Sequence, residues 1–162
     1  MSHVRDQLVE AICTRLRTAI PGFEGRVFAE GSGYLDDAGT LIEWDEKSYP
    51  TATVFSGPTR VFPISQHAGY RLAKREQEFS VALGVREYDG EDSLDALSSL
   101  LAAVEDAVLA VEEEAFVESV NVTTISHVAQ SDDDDGGISA TVIGFAAEYY
   151  TQHGNAGEFV AG

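Results

Sequence analysis

The sequence predicts an α+β fold, a two-layer sandwich in which two amphipathic helices cover one face of a mostly antiparallel sheet of four to five strands. Three observations predict it. Two stretches repeat apolar residues at helical spacing, other stretches are rich in β-branched and aromatic residues, and the last two of these are joined by the turn sequence SDDDDGG. Helices and a sheet that each have one apolar face can bury those faces against each other.

The two helices are predicted from apolar periodicity. In residues 4–20 apolar side chains recur every four positions, which places them on one face of a helix that ends at Pro21 and Gly22. The second helix begins at Asp92 or Ser93, either of which can cap its N-terminus. Its apolar residues follow at spacings of three and four, and they are Leu94, Leu97, Leu101, Val104, Val108 and Val111.

Five stretches have the composition or the alternation of β-strands. The longest alternates apolar residues with polar ones between Phe79 and Val85, which is the pattern of a half-buried strand. The stretch TATVFS is β-branched and aromatic, and it is predicted to stop at Gly57 and Pro58. The five predicted strands are residues 26–29, 51–56, 70–87, 117–129 and 138–150.

We expect a single domain. The chain has 162 residues and a mass of 17.4 kDa, which is enough for one core and too little for two ordinary domains. The predicted domain covers residues 1–150 and includes two surface loops, residues 30–50 and 57–70, the first with a short hairpin near residues 41–44. Residues 151–162 are predicted to be a flexible C-terminal tail or an arm that docks on a neighbouring molecule.

The chain is strongly acidic, with 28 Asp and Glu against 10 Lys and Arg and a net charge of -18. Repulsion from phosphates makes nucleic acid an unfavourable partner. The acidity has three interpretations: solubility, adaptation to high salt, and a surface that lets DNA pass without sticking. No stretch approaches the roughly 18 apolar residues needed to cross a bilayer, and the N-terminus lacks an apolar signal-peptide core. We therefore expect no membrane partner and synthesis in the cytoplasm.

No residue pattern in the sequence indicates catalysis. The four histidines and Cys13 lack the spacing of a metal site or of a nucleophile paired with a base. The SDDDDGG turn matches a calcium loop only in part, because it has a glycine at the sixth position but no carboxylate at the twelfth. Two alternatives stay open for it, weak divalent-cation binding and a solvated turn that prevents sticking. We expect no cofactor and no metal centre; the acidic hairpin tip consists of Asp132, Asp133, Asp134 and Asp135.

Several sequence segments, taken in order, form a familiar layout. An N-terminal helix of the type VRDQLVEAICTRL is followed by an RVF strand, by Tyr49-Pro50 leading into an apolar strand, and by the long charged strand RLAKREQEFSVALGVRE. The helix DSLDALSSLLAAVEDAVLA and a hairpin ending in ATVIGFAAEYY complete it. This layout, over residues 4–150, resembles the tail-terminator (tail-completion) proteins of long-tailed phages.

The resemblance implies a structural virion protein and no enzyme. Such a protein forms a ring, typically of six copies, at the head-proximal end of the tail tube. There it stops tube polymerisation and joins the tail to a head-tail connector or stopper protein. DNA passes through such a ring without specific binding, and the protein resides in the virion neck after assembly in the host cytoplasm.

Large apolar side chains in the predicted loops are candidates for contacts between copies, because one small core does not need to absorb them. Two alternatives to the terminator remain. One is another neck component, a head-tail stopper or connector adaptor. The other is an acidic cytoplasmic protein-binding module that grips a basic partner. The candidate interface residues are Tyr34, Trp44, Phe62 and Tyr70.

Overall fold

The computed structural model describes residues 3–21, 23, 27–29, 50–67, 70–86, 93–131, 138–152 and 155–159. Within these ranges the chain forms two α-helices, α1 (Val4–Ala19) and α2 (Ser93–Leu109), the second continued by a 3-10 turn, Ala110–Glu113. The same ranges contain six strands, which are β1 (Val27–Ala29), β2 (Thr51–His67), β3 (Tyr70–Arg86), β4 (Ser119–Ser131), β5 (Ile138–Gln152) and β6 (Asn155–Phe159).

The described strands belong to one sheet. Its order is β1-β2-β3-β5-β4, and β6 pairs with the end of β5. The long strands β2, β3, β5 and β4 are each antiparallel to their neighbours, whereas the short β1 runs parallel to β2. Because the chain direction reverses at each step from β2 to β3, β5 and β4, strands β2 and β4 are antiparallel to each other and lie toward opposite edges of the sheet.

Both helices pack on one face of the sheet and against each other. Alternate residues of the strands point toward the helices and form the core with them. Phe79 and Phe145, which are paired between β3 and β5, stack their rings there with centroids 5.2 Å apart. This arrangement confirms the predicted α+β class and the predicted position of the helices. The largest fully buried side chains include Leu8, Ile12, Leu16, Phe23, Leu83, Ile143, Phe145 and Tyr149.

The opposite face of the sheet is open over only part of its area. Thr51 and Thr53 alternate with the core residues of β2 and therefore lie on this face, yet both are fully buried. Farther along the sheet, Arg60 and Phe62 on β2 and Asn121 on β4 are exposed. The accessible part of this face therefore lies toward the β2–β3 turn and the β4 edge.

Helix α1 begins at a histidine cap. The Nδ1 atom of His3 accepts a hydrogen bond from the backbone N–H of Arg5 at 3.0 Å, which satisfies one of the free donors at the helix N-terminus. Burial, and then the positive charges of Arg75 and Arg5, lower the pKa of the His3 imidazole below its usual value. A neutral ring is the form that can accept this hydrogen bond.

The prediction that the second strand stops at Gly57 and Pro58 is wrong. Strand β2 continues to His67 and pairs with β3 along its whole length, so residues 57–67 are strand and not loop. The physical reason is position at an edge: proline is tolerated in an edge strand or at a bulge, where its missing N–H removes no ladder bond. Register shifts in β2 lie between Ser56 and Thr59 and between Pro63 and Ser65.

The predicted flexible tail also needs correction. Strand β5 runs on to Gln152, and residues 155–159 turn back to pair with it as β6. A short strand can form here because β4 starts opposite Glu148 and leaves the last residues of β5 without that neighbour. The two helices and the strands β1, β3, β4 and β5 lie within a few residues of their predicted bounds.

Candidate interaction surface

The outer half of β2 carries three of the four exposed large apolar side chains in the described part of the chain, distributed over both faces of the strand. Val61, Phe62 and Ile64 expose 41%, 45% and 49% of their surface, and residues 60–64 are all exposed. Clustered apolar side chains on a folded surface mark interaction sites. We call residues 60–64 the apolar edge. It contains one of the predicted interface residues, Phe62.

The apolar edge lies in the part of β2 that, among the described residues, pairs with a strand on one side only. Strand β1 pairs with β2 through Ala52, Thr53 and Val54, and beyond them the outer side of β2 has no partner strand among the described residues. Pro58 and Pro63 interrupt its row of backbone donors. A partner would therefore bind the apolar edge mainly through side chains, with few strand-to-strand hydrogen bonds.

A bulge sets the position of the apolar edge relative to the rest of the sheet. At Gly57 an added Cβ would lie 3.0 Å from the carbonyl oxygen of Glu78, so only glycine fits there without a shift. Gln77, which is 1% exposed, donates from Nε2 to the carbonyl oxygens of Gly57 at 2.9 Å and Glu78 at 2.7 Å. Its Oε1 accepts a hydrogen bond from the hydroxyl of Thr59. One buried amide thus holds both sides of the bulge.

Two cations flank the apolar edge on the open face. Lys74 Nζ lies 2.9 Å from Glu148 Oε1 and 6.0 Å from the centre of the Phe62 ring. The hydrogen bond to Glu148 raises the pKa of Lys74, which keeps it charged. Arg60 is only weakly paired, since its guanidinium lies 4.0 Å from the Glu78 carboxylate and its side chain is 64% exposed. Arg60 therefore keeps most of its charge available to a partner.

The apolar edge belongs to a basic segment of an acidic chain. Residues 59–75, which form the outer part of the β2–β3 hairpin, hold four of the 10 Lys and Arg and none of the 28 Asp and Glu. The remainder of the chain carries -22, the difference between -18 and +4. We call residues 59–75 the basic hairpin. This charge segregation is the sequence signal that could have located Arg60 and Lys74, neither of which is among the predicted site residues.

Strand β4 forms the opposite edge of the sheet. Its sequence, SVNVTTISHVAQS, contains no Asp, Glu, Lys or Arg, and Ile125 is 54% exposed. Thr123 is the extra residue of a bulge, and an added Cβ at Gly144 would clash with the hydroxyl oxygen of Thr124 and lie 3.0 Å from that of Thr123. Apart from β5, no strand pairs with β4 among the described residues. Within the described ranges, the outer side of β4 and the outer half of β2 therefore have no partner strand.

An acidic segment precedes β4. Four of the seven residues 112–118 are Glu, and none is Lys or Arg; we call them the acidic turn. Arg15 of α1 contacts two of them, Glu113 at 3.1 Å and Glu114 at 3.4 Å. Glu112 accepts a hydrogen bond from the backbone N–H of Val120 at 2.8 Å. The turn follows the C-terminus of α2, where the helix dipole already concentrates negative charge and the last turn has no basic residue.

Two depressions lie away from the apolar edge. A groove of about 690 Å³ runs beside α1, where Arg5 and Arg17 alternate with acidic side chains above Cys13. Arg17 donates to the carbonyl oxygen of Val27 at 2.8 Å, and burial raises the pKa of the Cys13 thiol, which is 3% exposed. A second, smaller depression of about 370 Å³ lies on the open face near Gly144.

The structure does not describe the side chains of the other predicted site residues. Tyr34, Trp44 and the acidic hairpin tip, residues 132–135, lie outside the described residues. Tyr70 begins β3 directly opposite His67, and its side chain also lies outside the described part of the structure. Among the residues that are described, no group of three or more His, Cys, Asp or Glu side chains is arranged to hold a metal ion.

No protein-family model matches the chain, and no curated protein matches it. In the described ranges, no helix is both long enough and apolar enough to cross a bilayer. The candidate surface consists of the outer half of β2, which contains the apolar edge and its flanking cations, the outer side of β4, and the acidic turn.

Proposed function

We propose that the protein is a tail terminator: a structural virion protein that forms a ring, typically of six copies, at the head-proximal end of a phage tail tube. In this role it stops tube polymerisation and joins the tail to a head-tail connector or stopper protein. The observation that carries the proposal is a sheet in which, among the described residues, β4 and the outer half of β2 lack a partner strand on their outer sides, and β2 exposes Val61, Phe62 and Ile64 there.

The orientation of the two edges supports a ring. Because β4 is antiparallel to both β2 and β1, a rotation about an axis parallel to the strands brings β4 of one copy against the edge formed by β1 and β2 of the next in antiparallel orientation. The two edges differ, so the contact is heterologous. Repeating a heterologous contact closes a ring when the rotation divides a full turn.

The acidity supports a passage for DNA. Six copies at -18 each carry -108, and a ring of that net charge repels phosphates. DNA can then slide through the ring without a binding step, which suits a protein that sits between head and tail. The resemblance of the sequence to tail terminators points to the same role.

The proposal is tested by cryo-electron microscopy of the protein mixed with tail tubes of the virus that encodes it. A ring on one end of each tube, together with an end to tube growth, is the expected result. Tubes that keep growing with bare ends would refute a terminator. A ring that binds an isolated connector but never a tube would assign the protein to another position in the neck.

The acidic surface favours one alternative of another class, a protein-binding module for a basic partner. That function predicts a monomer or dimer that ignores tubes and captures a cationic protein with a steep salt dependence. The same mixing experiment, repeated with a basic protein such as a histone and a salt series, separates the two functions.

A further inference from the structure

A row of apolar side chains crosses the sheet on the face that the helices cover. Its members pair directly from one strand to the next, in the order Ala29, Val54, Val81, Ile143 and Ile125. The three central side chains are fully buried, whereas Ala29 is half-buried and Ile125 is 54% exposed. Among the described residues, the row therefore ends at both edges of the sheet in accessible apolar surface.

The two ends of the row differ in shape. Beside Ala29 lies the groove of about 690 Å³ along α1, and its apolar lining is Val9, Cys13 and Ala29 itself. At the other edge Ile125 projects from β4 on the helix-covered face, since it pairs with the core residue Ile143. One edge of the sheet thus presents an apolar recess, and the other presents an apolar side chain at the same position along the strands.

We propose that Ile125 of one copy inserts into the groove beside α1 of the next copy. The inference rests on the ring proposed above and names the contact that builds it. A rotation about an axis parallel to the strands preserves the face on which a residue lies and its position along the strand direction. It therefore brings Ile125 level with Ala29 of the neighbouring copy, on the side of the sheet where α1 and the groove lie.

Strand pairing can accompany the insertion. Strand β1 pairs with β2 on one side, and no strand pairs with its other side among the described residues. Strand β4 approaches that side in antiparallel orientation and has no proline in its 13 residues, so no backbone donor is missing from it. The outer half of β2, in contrast, contains Pro58 and Pro63. The contact therefore combines a short ladder along β1 with the side chain of Ile125.

Charge identifies a second copy as the partner. Molecules that carry -18 repel each other, and a contact between two surfaces without net charge adds no like-charge pair to that repulsion. Strand β4 contains no Asp, Glu, Lys or Arg. The charged residues around the groove balance, since they are Arg5, Arg17, Asp6 and Glu10. A strongly basic partner would gain more at the acidic turn, where glutamates predominate.

Disulfide cross-linking between copies tests the contact. The variant carries Ala29→Cys and Ile125→Cys in a Cys13→Ala background, which removes the native thiol. Within one chain these two positions are four strand spacings apart, about 19 Å, which no disulfide can bridge. A head-to-tail contact brings them together in neighbouring copies and links each copy to two others. Mild oxidation of the variant on tail tubes is therefore expected to give a ladder of dimers, trimers and larger species in non-reducing electrophoresis.

Matched cysteine variants provide the controls. Ala29→Cys alone and Ile125→Cys alone, each in the Cys13→Ala background, are expected to stay unlinked. Replacing Ile125→Cys by Asn121→Cys keeps the thiol exposed on β4 but moves it along the strand and to the open face. That pair is expected to give no ladder. Urea unfolding checks that every variant folds.

Removing the projecting side chain measures what the insertion contributes. Ile125→Ser changes no charge, and it is expected to weaken self-association about tenfold, because about half of an isoleucine side chain is no longer buried between copies. Sedimentation velocity over a concentration series, with and without tail tubes, measures the change. Asn121→Ser, at an exposed position of the same strand, is expected to stay within about twofold of the wild type.

The outcomes distinguish this inference from the proposed function. Rings on tubes that give no ladder, together with unchanged self-association of Ile125→Ser, would overturn the inference and leave the terminator standing. A cross-linked dimer of Ile125→Cys alone would place β4 against β4 in a twofold contact and would also overturn it. Normal rings of Ile125→Ser that no longer bind tubes would assign Ile125 to the tube protein instead. A wild-type chain that never associates, with or without tubes, would overturn both.

Discussion

Replacing Gln77 with leucine tests whether one buried amide holds the apolar edge in place. Gln77 donates two hydrogen bonds to the carbonyl oxygens of Gly57 and Glu78 and accepts one from Thr59. Leucine has a similar volume but no polar atom. The Gln77→Leu variant therefore keeps the packing and loses the three hydrogen bonds across the bulge.

The expected loss of stability is about 2–4 kcal/mol. A buried polar group left without a partner costs about 1–3 kcal/mol, and the substitution removes a donor from two carbonyl oxygens. The Thr59 hydroxyl adds little to this loss, because the residue is half-buried and its hydroxyl can hydrogen-bond to water instead. Burial of the more apolar leucine side chain returns part of the loss, which sets the upper end of the range.

Urea unfolding followed by circular dichroism measures the effect. With a slope of about 2 kcal/mol per molar urea, the middle of the range for small proteins, the midpoint is expected to fall by about 1–2 M. Hydrogen exchange should locate the damage, with faster exchange of β2 amides beyond Gly57 than of β5 amides in the core. The same variant is expected to weaken self-association, because the apolar edge loses its fixed position.

A neighbouring substitution provides the control. Glu76→Gln changes a half-exposed side chain on the same strand and is expected to alter the free energy of unfolding by about 0.5 kcal/mol or less. If Gln77→Leu unfolds at the same midpoint as Glu76→Gln, the buried amide does not hold the bulge. The position of the apolar edge would then come from the strand pairing alone.

Three further predictions concern single residues. The lowered pKa of His3 means that the unfolded chain takes up a proton more readily than the folded one, so the stability from this cap is present above about pH 6.5 and is lost as the pH falls below it. His3→Asn keeps a cap without titrating, and the wild type should lose more stability than this variant between pH 8 and pH 5. Cys13, buried and with a raised pKa, should react with a thiol reagent only after unfolding; rapid reaction of the native protein would contradict its burial. Gly144→Ala should lower the free energy of unfolding by about 1–3 kcal/mol through its clash with Thr124, and Gly144→Ala with Thr124→Ala should recover part of it.

Regular periodicity made most of the fold predictable. Helix α1 repeats its apolar residues every four positions, and β3 alternates them from Phe79 to Val85, so tertiary packing and local pattern agree. The predicted second strand ends too early because a Gly-Pro pair such as Gly57-Pro58 usually ends a strand. That rule depends on whether the strand lies at an edge, which only the sheet order determines.

The candidate surface was harder to predict than the fold. The size of Phe62 in a predicted loop makes it a candidate interface residue. Its neighbours Val61 and Ile64 are not predicted, because their exposure depends on the lack of a partner strand beyond the outer half of β2 among the described residues. The charge segregation of residues 59–75 is visible in the sequence. Its position relative to the other strands depends on the register of the sheet, which no local pattern contains.

The bulge after Ser56 acts on β2 as a frameshift acts on a coding sequence. Ahead of it Val54 lies on the helix-covered face, an even-numbered position, whereas beyond it that face belongs to odd-numbered positions such as Val61. Deleting Pro58 would cancel the extra residue and exchange the two faces, so Phe62 would leave the open side of the sheet. Changes in length at this point can therefore alter what the edge presents more than any substitution within it.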